Sequence, residues 1–177
     1  MTPTMMLRTI IDPGLKIVQA LGGPLPKDDA RAFLLTVTQQ ESGPALDARY
    51  QSSPSSSPGP ARGWWQSEMG TEQTRGGVAG VFLHAASKGL IRAGCEHFTI
   101  AYNIPAIWRA IEGHDMMAVL VARGLVLTDP YAIPVEVNAG WKCYADRLWR
   151  PGKPHPDKWP GNWKVAQETV KANPFSL

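Results

Sequence analysis

Apolar residues recur along this chain at intervals of three and four, and only rarely at two, so the pattern predicts helices and very little strand. Met6, Ile10, Ile17 and Leu21 mark a broken or kinked helix over residues 3–21, stopped at Gly22, Gly23 and Pro24. A second helix is predicted over 28–41, opened by Asp28 and Asp29, whose charge suits a helix N-terminus. Ala30, Phe33, Leu34 and Val37 form its apolar row, and the next member of that row is Glu41. Residues 77–93 predict a further helix with Val78, Val81, Phe82 and Ala85 inward. Two more, 104–112 and 115–127, meet at Gly113 and His114; the second is apolar nearly all round and should pass through the centre of the core. Residues 134–149 start on a helix-initiating proline and put Val137, Trp141, Tyr144 and Leu148 on one side, and a last helix runs from about Trp163 to Ala172. The stretch QSSPSSSPGP at 51–60 reads as a loop within the domain.

These elements predict an all-α fold around a central buried helix, with a long Ser/Pro loop and little or no β-structure. The 177 residues are of a length for one domain, 1–177, with a core over about 28–165. A net charge of +3, with basic residues scattered, suits a polyanionic partner such as cell wall and argues against nucleic acid. Cys95 and Cys143 lack metal or redox spacing and read as buried free thiols. The four histidines show no paired spacing, so no metal and no cofactor is expected, and His84 reads as a core histidine. Ser42 is no nucleophile elbow, and Arg75-Gly76-Gly77 is too short for a phosphate loop. The N-terminal segment lacks a signal-peptide pattern and no window reaches a membrane span, so synthesis in the cytoplasm with no transmembrane segment is the expectation.

Glu41 changes the picture from fold to chemistry. A carboxyl at the end of an apolar stripe loses solvation of its charged form, which raises its pKa and equips it to hold and deliver a proton near neutral pH. The competing reading is that the helix ends one residue earlier and Glu41 points to water. Seven tryptophans are a generous number, and aromatic plates beside a few amides and acids suit sugar rings. Trp64 and Trp65 adjoin Gln66 and Glu68. If that segment is extended, one indole packs inward and the other, Trp65, is the candidate for a cleft. Two-carboxylate glycosidases need a second acid about 5–10 Å from the first. Asp47, Glu68 and Glu72 are the nearest in sequence, with Glu68 preferred because it should emerge on the same side of a strand as Gln66.

Read together, Glu41-Ser42 at a helix end and Gly63-Trp64-Trp65-Gln66 beyond it resemble the signature of the lysozyme-like lytic transglycosylase superfamily. The stretch from Trp141 and Tyr144 through Trp149–Pro154 is similar to the closing segment of small phage-encoded members. The resemblance implies a lysozyme-like domain in which Glu41 protonates the bond between N-acetylmuramic acid and N-acetylglucosamine and Gln66 lines the same cleft. It leaves open whether Tyr102, in Ala101-Tyr102-Asn103, or Tyr144 takes the tyrosine position. It also implies a phage enzyme, a muramidase or lytic transglycosylase, that acts on peptidoglycan strands and is carried in the virion or delivered to the periplasm. The alternative is a non-catalytic phage structural or ejected protein that binds wall glycan or another virion protein.

Overall fold

The computed structural model describes residues 1–43, 46, 59–74 and 76–175; Asp47 and most of the Ser/Pro loop lie outside them. Among the described residues the fold is all-α apart from one hairpin of two two-residue strands. The N-terminal stretch is a helix with a widened middle. Helix α1 (Pro3–Met6) passes through a π-helical turn (Leu7–Ile11) into α2 (Asp12–Ala20). The Asp12 N–H reaches back five residues to the Leu7 carbonyl, just where Pro13 can donate nothing. This is the physical form of the break expected over 3–21.

Helix α3 (Asp28–Ser42) follows, then strands β1 (Ala61–Arg62) and β2 (Ser67–Glu68), paired antiparallel as Ala61 with Glu68 and Arg62 with Ser67. The expected helix over 77–93 is two helices, α4 (Gly77–Leu83) and α5 (Lys88–His97). The buried Ser87 hydroxyl donates to the Val81 carbonyl at 2.6 Å and ends α4 there, so Ala85 is exposed, not inward. His84 is an exposed turn residue, not a core histidine; its Nδ1 accepts the Ala86 N–H.

Helices α6 (Ile104–Gly113) and α7 (Asp115–Leu127) lie where the periodicity puts them. Helix α7 is the central one, packed by α2, α4, α5 and α6, with Met117, Val119, Leu120 and Ala122 fully buried. Close approach depends on missing side chains. A Cβ on Gly14 would meet Val119 Cβ at 2.5 Å, and one on Gly94 would meet Leu120 Cδ2 at 2.3 Å.

The helix expected from Pro134 starts later, as α8 (Val137–Lys142), and continues into a second π-helical turn (Cys143–Leu148). The last helix, α9 (Trp159–Ala172), starts four residues before Trp163, with Pro160 in its first turn, where a missing N–H costs nothing. Helix α9 lies along α3. One hydrophobic cluster runs from Met6 to Val170. Among the described residues no helix is long and apolar enough to cross a membrane. Both cysteines are free and buried.

A buried guanidinium joins three parts of this scaffold. Arg31, 0% exposed, donates Nε and Nη2 to the two oxygens of Asp12 and Nη1 to Asp28, each at 2.8 Å. Its Nη2 also reaches the Asn173 carbonyl beyond α9 at 2.8 Å. Removing the cation leaves the partly buried Asp12 carboxylate, 16% exposed, with two unmet acceptors. Arg31→Ala is expected to lose about 3 kcal/mol of stability in denaturant titrations, with the midpoint moved and the slope little changed.

Candidate functional site

Helix α3 delivers Glu41 to the wall of a groove of about 990 Å³. The row of buried residues on α3 includes Phe33, Leu34 and Val37, and the helical period turns the next member, Glu41, to the same side. The helix extends through Ser42, so the reading in which it ends early and Glu41 points to water is excluded. Gly43, at φ 75°, turns the chain away. The Ser42 hydroxyl donates to the Trp64 carbonyl at 2.7 Å and pins the helix end to the hairpin turn.

That turn corrects the expectation for the tryptophans. Trp64 to Gln66 belong to a turn closed by the Gln66 N–H on the Gly63 carbonyl at 3.1 Å. Strand alternation does not apply there, and both indoles point inward. Trp64 donates to Asp115 Oδ1 at 3.0 Å and Trp65 to the Leu34 carbonyl at 3.1 Å. Trp65 is 1% exposed, so it supports the groove from below and presents no face to a ligand. Gln66 and Glu68 both line the groove, although Gln66 sits in the turn and not on a strand face. Glu72 is exposed and is not among the groove residues.

A single hydrogen bond brings Tyr144, and not Tyr102, to Glu41. Tyr144 O–H donates to Glu41 Oε1 at 2.7 Å, across 103 positions of sequence. The π-helical turn that begins at Cys143 widens the helix at this point and presents Tyr144 to the groove. Its ring is clamped by Trp159, stacked at 5.0 Å, and by Trp149 at 6.2 Å. Tyr102 is elsewhere. It packs on Phe82 at 4.5 Å under the Arg92 guanidinium at 4.6 Å, and the neighbouring Asn103 caps α6 by accepting the Ala106 N–H. Ala101-Tyr102-Asn103 is therefore a helix-capping segment.

The electrostatics of Glu41 follow from this geometry. Burial pushes its carboxyl up from an ordinary 4.5 to about 7, against the Tyr144 hydrogen bond, which favours the charged form and pulls the other way. Burial and the neighbouring carboxylate push the Tyr144 phenol upward as well, so it remains the donor. A carboxyl of this kind can hold a proton and release it near neutral pH.

A strap, residues 149–155, which periodicity gave no reason to place here, also lines the groove. The Trp149 indole donates to the Trp65 carbonyl at 3.0 Å, while Gln40 Nε2 donates to the His155 carbonyl at 3.0 Å. Asn162 Nδ2 in turn holds Gln40 Oε1 at 2.9 Å. The half-buried Trp149 is the indole that borders the groove, the role expected of Trp65. Its signal was the segment Trp149–Pro154 itself; Gln40 carried none, since Thr36 and Val37, one turn before it, are buried.

No family model, curated protein or solved structure matches this chain.

The raised carboxyl has a thermodynamic signature. The unfolded chain ionises Glu41 near 4.5 and the folded chain near 7, so the folded state holds the extra proton between these values and loses stability as pH rises through them. Glu41→Gln keeps an acceptor for Tyr144 and cannot ionise. It is expected to be more stable than the parent at pH 8 by up to about 3 kcal/mol, with the gain vanishing below pH 4.5, in urea titrations across pH.

Proposed function

We propose that this protein cleaves the glycan strands of peptidoglycan between N-acetylmuramic acid and N-acetylglucosamine, with Glu41 as the proton donor. The observation that carries the reading is the Glu41 carboxyl, held at about 7 and bonded to Tyr144, at the wall of a groove of about 990 Å³. The groove joins that acid to an amide, Gln66, and an indole, Trp149, the mixture of groups that suits saccharides. The resemblance of Glu41-Ser42, Gly63–Gln66 and Trp149–Pro154 to the lytic transglycosylase superfamily supports the same choice of substrate, and with it a phage-borne, wall-directed role.

In this reading protonated Glu41 gives its proton to the glycosidic oxygen as the bond to the anomeric carbon breaks. The resulting carboxylate, stabilised by the Tyr144 O–H, then takes a proton from the attacking hydroxyl, and the acid is regenerated. If the hydroxyl is the sugar's own, the product is an anhydro ring; if it is water, the product is a reducing sugar. Glu68 is the other carboxylate bordering the groove among the described residues, and would serve the hydrolytic route.

On purified murein, Glu41→Gln is expected to lower turnover by at least about 100-fold while leaving strand binding intact. Unchanged turnover, or none in the parent, would favour the non-catalytic binding protein. Mass spectrometry of the digest separates the two routes, since the anhydro product is one water lighter. Activity should fall as pH rises past about 7, where Glu41 loses its proton. Tyr144→Phe removes the bond that favours the carboxylate, so its alkaline limb should lie at higher pH.

A further inference from the structure

The groove is bordered by charges of both signs: Glu41 and Glu68, and, from the strap, Arg150 and Lys153. Both cations are exposed, and neither takes part in an ion pair among the described residues, whereas Arg31, Arg62 and Arg147 all do. A long cationic side chain beside a ligand groove, left without a carboxylate, is available to one brought by the ligand.

The strap is also built to hold them there. Its ends are tied by the Trp149 indole on Trp65 and by Gln40 on the His155 carbonyl, and Pro151 and Pro154 stiffen the span between. Arg150 has φ 46°, a left-handed conformation that costs a non-glycine residue about 1 kcal/mol or more. Its N–H is satisfied by the Tyr144 carbonyl at 3.3 Å, so the residue that grips Glu41 also sets the backbone of Arg150. A glycine would relieve the strain, yet an arginine stands there. Gln66, with φ 46°, is the other strained residue bordering the groove.

We propose that Arg150 and Lys153 make the groove selective for glycan strands bearing carboxylate-rich peptide stems next to the cleaved bond. The inference rests on the glycan reading of the groove. Stem carboxylates hang from the strand itself, so a strand lying against Glu41 carries them past the strap, where the Arg150 guanidinium can pair with one through two parallel N–H donors.

The test is binding to the Glu41→Gln protein, which does not consume its ligand. The probes are a muropeptide oligomer with stems and the same oligomer stripped of them by an amidase, with the lactyl carboxylates this exposes then capped as methyl amides. The stemmed oligomer is expected to bind about tenfold or more tightly in dilute buffer, with the preference shrinking as salt rises. Adding Lys153→Ala with Arg150→Gly, which relieves the backbone, should abolish the preference by weakening the stemmed oligomer far more than the stripped one, and Arg150→Lys should retain part of it. Equal affinity for the two oligomers, or a preference that survives the double change, overturns this inference alone. No binding to either oligomer overturns the glycan reading and the inference with it.

Discussion

A partly buried carboxyl receiving a phenol O–H at 2.7 Å is the constraint around which this molecule is arranged. Glu41 and Tyr144 belong to helices remote in sequence, and their contact requires the end of α3, the π-helical turn after α8 and the N-terminal part of α9 to be fixed together. Two opposing effects meet on the carboxyl. Loss of water raises its proton affinity, the tyrosine lowers it, and burial prevails. The tyrosine thus tempers the carboxyl without removing its capacity to carry a proton at neutral pH.

Much of the surrounding structure serves to hold these two groups still. Four hydrogen bonds from side chains to main-chain carbonyls stitch the groove: Ser42 to Trp64, Trp65 to Leu34, Trp149 to Trp65 and Gln40 to His155. Each ties a loop to a helix or to another loop, and together they give irregular segments the positional definition that regular elements have by themselves. Left-handed backbone at Gln66 and Arg150 borders the same groove, as strain tends to gather where geometry has a task.

The central helix illustrates how readily some of this was legible. Residues 115–127 are apolar on nearly every side, which leaves a helix no option but burial on all faces, and α7 occupies that position. Glu41 was legible for a similar reason: one apolar row and a fixed helical period predict which way the next side chain points. The indoles show the opposite case. Alternation across a strand was the wrong rule for Trp64 and Trp65, because Gly63, at φ 71°, folds them into a turn where neighbours can both point inward. Tyr102 misled because a tyrosine before a helix-capping asparagine looks, in one dimension, like a tyrosine beside a site.

By itself, then, the sequence determined what depends on near neighbours: helical periods, a proline at the start of α9, an acid at the end of a buried row. Tertiary structure alone decided which tyrosine reaches Glu41, that Trp149 and not Trp65 borders the groove, and that the strap from 149 to 155 lines it. The physical reason is range. Periodicity and capping act over a turn or two of chain, whereas the Tyr144 to Glu41 bond spans 103 positions and the Trp149 to Trp65 bond 84. Such contacts arise from packing of whole elements around α7, which no local pattern encodes.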